Sequence, residues 1–197
     1  MSDVWDTLLA EVRKVHQSSA ELMGFCPFPE DIRRQDVDPF HIGSSDLLQA
    51  ETGLFGTRYT ALRDAFIAAA PHAHWRQTYK GTNVSPRFLD EFGCYCLIGA
   101  CGAFQSNQMS AWVVYMPAGL YSPWHQHPAE EMYFTLAGEG VFMREGCADV
   151  TLREGQACLH QSNQPHALDT KDHPIMAYVV WRNGFDIPPV LTHKDAT

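Results

Sequence analysis

The residues best suited to chemistry fall between Gly119 and Gly138, in the run Gly-Leu-Tyr121-Ser-Pro-Trp124-His125-Gln-His127-Pro-Ala-Glu130-Glu131-Met-Tyr133-Phe-Thr-Leu-Ala-Gly. His125 and His127 are two apart, so on a strand both imidazoles point to one side. After a tight step at Pro128-Ala129, Glu131 and Tyr133 share a face and Met132 and Phe134 take the other. A barrel interior would thus receive two imidazoles, a carboxylate and a phenol. Burying these groups without partners is expensive, and a divalent metal ion removes the difficulty. Glu130 competes for the carboxylate role, but the two-residue period selects Glu131 and leaves Glu130 for solvent.

The elements that must position these groups follow from the hydrophobic pattern. Val4, Trp5, Leu8, Leu9, Val12 and Val15 recur with the helical period, with Ser2 or Asp3 placed to cap. A Pro- and Asp-rich stretch from Cys26 to Phe40 follows. A short helix through Leu47 and Leu48 is expected, capped by Ser44 or Ser45, then one from about Thr57 to Ala70, which Pro71 stops. From His74 onward the pattern changes to short strands: Trp75–Tyr79, Cys94–Ala100, Ala111–Met116, Met132–Leu136, Val141–Arg144, Asp149–Leu152, Ala157–His160 and Ile175–Trp181. Gly138-Glu139-Gly140 and Glu145-Gly146 read as turns of a meander or barrel. The expectation is one domain, with residues 1–72 a helical extension packed on a β-barrel of residues 73–197.

The segment also resembles a known superfamily. Gly119 to Gly138 matches the first cupin signature, Gly-x5-His-x-His-x3-Glu-x6-Gly, at every fixed position. Gly155 to His166 follows the frame of the second, Gly-x5-Pro-x-Gly-x2-His, with Gln161 in place of the proline and Asn163 in place of the glycine. Asn tolerates the left-handed backbone that a glycine takes, so the turn should survive. The resemblance implies a mainly β fold, a cupin β-barrel of the double-stranded β-helix or jelly-roll type. It implies His125, His127, Glu131 and His166 as ligands of one divalent transition metal: zinc, iron(II) or manganese. His160 is a possible fifth donor, but its place in the strand before the turn puts it behind the ligands or in the core. His16, His41, His72, His74, His173 and His193 lack ligand spacing.

The helical extension, the chain length, the Tyr two residues after the ligand Glu and the run Trp181-Arg-Asn-Gly-Phe resemble the cupin-type dimethylsulfoniopropionate lyases of the Q type. That resemblance implies β-elimination of a sulfonium carboxylate to acrylate and dimethyl sulfide, with Tyr133 as general base and a metal clamp on the substrate carboxylate. A free tyrosine titrates near 10, and a neighbouring dication favours its phenolate. The sulfonium needs aromatic faces. Tyr121, by proximity, and Trp181, by resemblance, are the preferred pocket residues, with Trp124 and Tyr79 as further candidates. The same donors would also suit another cupin metalloenzyme, a dioxygenase or isomerase, or a non-catalytic metal-binding sensor.

Bulk properties narrow the field. The formal charge of -9 disfavours nucleic acid as partner. The N-terminus lacks a basic segment followed by an apolar run, and no window nears the ~18 apolar residues of a membrane span. A cytoplasmic protein is expected, with reduced thiols at Cys26, Cys94, Cys96, Cys101, Cys147 and Cys158. Cupins frequently dimerise, so a homodimer is the expectation by analogy.

Overall fold

The computed structural model describes residues 3–192, so Ser2 as a cap and His193 lie outside the described residues. Helix α1 (Val4–Ser18) begins at Asp3, whose carboxylate accepts from the Trp5 amide, and buries Trp5, Leu8, Val12 and Val15. Helix α2 (Ala20–Phe25) is capped by Ser19. After the two-residue strand β1 (Arg33–Arg34) come α3 (Gly43–Ala50) and α4 (Thr60–Ala69). Two expected details change here: the cap of α3, and the start of α4 at Thr60 rather than near Thr57. Ser44 and Ser45 lie inside α3, buried, and Asp90 instead accepts from the Gly43 amide. At the start of α4 no side chain of the helix caps; the Glu154 carboxylate accepts from the amides of Thr57, Arg58 and Tyr59, binding the helix to the strand-rich half. Pro71 falls in the 3-10 turn that ends α4.

The remaining elements are β2 (Trp75–Arg76), α5 (Pro86–Glu91, capped by Ser85), β3 (Gly93–Ile98), β4 (Phe104–Gln105), β5 (Ser110–Met116), β6 (Tyr121–Gln126), β7 (Glu130–Arg144), β8 (Val150–Arg153), β9 (Ala157–His160), β10 (His166–Asp169), β11 (Ile175–Arg182) and β12 (Val190–Leu191). The hydrogen-bonded order is β1-β4-β3-β5-β11-β7-β10-β6-β12, with β8 and β9 also on β7. The first half of β7 pairs with β11 and β9 and its second half with β8 and β10. One strand thus runs through both faces of the sandwich. This is a cupin fold whose end strands β1 and β12 stay unpaired with each other among the described residues.

Gly138-Glu139-Gly140 is therefore not a hairpin turn, because the strand continues through it. Gly138 has φ of 72°, and β7 carries an extra residue opposite Met176 and Ala177. The bulge bends β7 from one sheet into the other. A Cβ at Gly138 would lie 1.8 Å from the Pro174 carbonyl oxygen, so no side chain fits. Gly138→Ala is expected to lose about 3 kcal/mol of stability, near the upper end for overpacking with added backbone strain. An unchanged urea midpoint would contradict this.

Two apolar clusters sort the chain. Trp5, Leu8, Leu22, Leu62 and Phe66 of the helices pack with Tyr95, Met132, Phe134 and Tyr178 on the outer face of the sheet. Tyr133, Cys158, Val179, Trp181, Trp112 and Cys94 fill the interior. Alternation along β7 thus sends Met132 and Phe134 to the helices and Glu131 and Tyr133 inward. At the seam, the His16 imidazole donates from Nε2 to the Cys26 carbonyl at 2.7 Å and accepts from the Tyr178 hydroxyl at 3.0 Å. Burial lowers its pKa, so it is a satisfied core histidine. All six cysteines are free.

Candidate metal centre

The interior site is built from cross-strand neighbours. His125 of β6 faces His166 of β10. Glu131 of β7 faces Trp181 of β11 on one side and His160 of β9 on the other. His127 follows the end of β6 and is 2% exposed, as are Glu131 and His166. Donor atoms of His125, His127 and His166 lie within 4.8 Å of one another, as do those of Glu131, His160 and His166. The turn before His166 survives both departures from the signature. Asn163 takes φ of 55° and its amide bonds the His127 carbonyl at 2.8 Å, so the substituted residue ties the second motif to the first.

Each of the three signature histidines has its Nδ1 against a backbone carbonyl: Pro123 for His125, Ala129 for His127 and Gln164 for His166, at 2.8, 2.9 and 2.8 Å. A carbonyl only accepts, so Nδ1 carries a proton, and in the neutral form each ring keeps its Nε2 lone pair free. Nε2 of His127 and of His166 are buried without a hydrogen bond, 3.4 and 3.2 Å from Glu131 Oε2. Lone pairs aimed at a carboxylate oxygen with no group between them fit a cation. The residues present could hold a divalent metal ion, and their imidazole and carboxylate donors suit several transition metals.

The electrostatics agree. Burial and the neighbouring imidazoles lower His125 to about 3 and His166 to about 4, which keeps both neutral. Burial opposes a charge on Glu131, but the histidines around it, His127 first, hold its carboxyl well below the usual carboxylate range. Burial opposes a charge on His127 too, but the Glu131 carboxylate beside it raises its pKa, so without a cation the ionised carboxylate pairs with this one imidazole while His125 and His166 stay neutral.

Beside the donors lies a cavity of about 50 Å³ whose walls include Tyr133, Tyr79, Trp181, Trp112, Cys94 and Arg76. The Tyr133 and Tyr79 hydroxyls make no hydrogen bond to any described residue, and burial raises both well above the ordinary tyrosine value. The Tyr79 ring is 5.8 Å from the His125 ring. Tyr79 lies beyond β2, which ends at Arg76 rather than running to residue 79.

Tyr121 and Trp124 do not line this cavity. An extra residue in β6 between Ser122 and His125 reverses the alternation, so Ser122 shares the inward face with His125 and Tyr121 is 40% exposed. Trp124, half-buried, sits within the bulge. Trp181 does line the cavity, yet its indole N–H donates to Glu131 Oε1 at 2.6 Å. His160 donates from Nδ1 to Glu131 Oε2 at 2.7 Å. Spacing alone could not reveal these two contacts, since they depend on which strands flank β7. Glu130, expected in solvent, is half-buried in a pair with Arg182 and a bond from Asn183.

Fold and site together define the class: a cupin with an inward His/Glu group that could hold a metal, opening on an aromatic cavity. The model of the dimethylsulfoniopropionate lyase family matches residues 25–177. The chain is 47% identical over 191 residues to dimethylsulfoniopropionate lyase DddQ of Ruegeria pomeroyi, covering 97% of this chain and 95% of that one. It matches the crystal structure of DMSP lyase DddQ from Ruegeria pomeroyi DSS-3 with a TM-score of 0.96 at 46% identity, over 98% of each chain. A structure from work on the DMSP lyases RdDddP and RnDddQII matches at 0.92 and 34% identity, over 96% of this chain and 97% of that one. The chain belongs to the dimethylsulfoniopropionate lyase family, whose members are carbon–sulfur lyases.

Proposed function

We propose that this chain cleaves dimethylsulfoniopropionate by β-elimination, with Tyr133 as general base and His125, His127, Glu131 and His166 holding one divalent transition metal ion (zinc, iron(II) or manganese). The observation that carries the reading is the shared inward face of β7. It sets the carboxylate of Glu131 and the hydrogen-bond-free phenol of Tyr133 in the wall of one cavity.

The substrate has a carboxylate, a weakly acidic α-carbon and a dimethylsulfonium group on the β-carbon. Tyr133 accepts the α-proton, the C–H electron pair becomes the α,β double bond, and the C–S pair leaves with sulfur. The products are acrylate and dimethyl sulfide. A bound dication would supply positive charge that favours the tyrosinate and offsets charge growing on the substrate carboxylate. Without such a charge, burial and the Glu131 carboxylate keep the Tyr133 phenol protonated. Tyr79 and Trp112 give the sulfonium aromatic faces, each able to contribute about 0.5–2 kcal/mol, while Trp181 completes the wall with its indole N–H bound to Glu131. Tyr121 and Trp124, outside the cavity wall, are left to shape its surroundings.

Headspace analysis tests the reading: dimethyl sulfide should form from purified protein and substrate, stop on chelation, and return when a divalent metal is restored. Release that persists in fully chelated protein would defeat the metal assignment. Segments 1–72 and 73–197 are read as one domain because one apolar cluster spans both. The partner is the small zwitterion. The net charge of -9 speaks against nucleic acid, and no described helix is long and apolar enough to cross a membrane. A cytoplasmic setting and a homodimer complete the proposal.

A further inference from the structure

We infer that Trp181 and His160 are positioning residues that clamp the Glu131 carboxylate and orient two of the histidines, so that Trp181 acts mainly on the metal centre rather than on the sulfonium. The inference rests on the proposed metal centre. Its basis is the register: Glu131 is the middle member of a row across β11, β7 and β9, with Trp181 and His160 directly opposite on either side. Each neighbour donates one N–H to a different carboxylate oxygen, Trp181 to Oε1 at 2.6 Å and His160 to Oε2 at 2.7 Å. A carboxylate offers about four acceptor positions, so two remain for a cation.

Each clamp residue also places a second ring. The Trp181 indole stacks on His127, with centroids 4.2 Å apart and planes 28° apart. His160 stacks on His166 at 4.0 Å and 13°. Two side chains thus fix three of the four proposed ligands through two hydrogen bonds and two ring stacks. His160 is turned away from a ligand role of its own. Its Nδ1 proton is engaged by Glu131, and its Nε2 lies 3.7 Å from the Cys158 sulfur. Burial raises that thiol to about 11, so it stays protonated and can donate to Nε2, which maintains the tautomer that Glu131 requires.

Metal affinity separates a clamp from a substrate wall. Trp181→Phe keeps a ring against His127 and removes the N–H. It should weaken zinc(II) binding about 10–100-fold, measured by competition with a chromophoric chelator, and alter the cobalt(II) absorption spectrum. Once metal is saturating, KM should stay within about 2-fold of wild type. His160→Gln retains an amide donor and should bind zinc more tightly than His160→Leu. Circular dichroism of the metal-free variants serves as the control for folding. Wild-type zinc affinity in Trp181→Phe with a raised KM would overturn the clamp and make Trp181 a substrate wall. Equal affinities for His160→Gln and His160→Leu would also overturn it. If wild-type protein itself failed to bind one zinc ion, the metal-centre reading would fail, and the clamp with it.

Discussion

Tyr133→Phe is expected to bind metal as wild type does and to release dimethyl sulfide at least about 10³-fold more slowly, within the 10²–10⁴-fold contribution of general-base catalysis. The substitution removes one oxygen, and that hydroxyl has no hydrogen-bonding partner among the described residues, so its loss leaves no buried group stranded. The ring contacts, 5.3 Å to Phe142 and 5.5 Å to His160, persist. Fold and metal affinity should therefore hold while turnover falls, and KM should change little. Tyr79 is the instructive comparison, a second cavity tyrosine without a hydrogen-bonding partner, yet not on the Glu131 strand face. Near-wild-type turnover by metal-loaded Tyr133→Phe would move the base to another residue, with Tyr79 the first to test.

The second large effect concerns His166→Ala. Its Nε2 is one of two buried ring nitrogens left without a hydrogen bond near Glu131, and its ring lies 4.1 Å from His125 and 4.0 Å from His160. Removing it takes away one donor and the ring packed between its neighbours. Metal binding should weaken about 100-fold or more, beyond the 10–100-fold range typical of residues that only orient ligands. The consequence for stability follows from mass action. With free metal at about 100 times the wild-type dissociation constant, wild-type protein gains about 2.7 kcal/mol. A variant bound ~100-fold more weakly gains only about 0.4 kcal/mol at the same concentration. Denaturant midpoints with and without metal read this difference directly. A metal-induced gain equal to wild type would exclude His166 from the ligand set.

How much of this could be read from residues alone depended on the range of the interaction involved. Helix α1 was legible because its apolar period and Asp3 cap are local, and β9 matches its expected span of Ala157–His160. Helices α2 and α5 are only six residues each, too short for a period to show, although Ser19 and Ser85 stand at their caps. The grouping of His125, His127, Glu131 and His166 was visible because the two signatures encode it as spacing. What spacing does not carry is strand register. Tyr121 was chosen for its proximity to the ligands in the chain, and one extra residue in β6 before His125 turns it away from their face. The glycines near residue 138 were read as a turn, whereas the long-range partner Pro174 makes them a bend within one strand. The bonds from Trp181 and His160 to Glu131 also belong to pairings between segments far apart in the chain.

The passage of β7 through both sheets has a consequence for folding rates. Its partners β11, β9, β8 and β10 all follow it in the chain, and β11 must also pair with β5, which precedes it. Such long-range pairings place folding among the slower topologies, on the order of milliseconds to seconds. Until β10 has closed against both β6 and β7, His166 is far from His125 and Glu131 and there is no site to capture an ion. Metal added to the unfolded chain should thus do little for the forward rate. Its effect would fall on the reverse step: an ion held there would bind what only the finished sandwich assembles, and so would lengthen the lifetime of the native state.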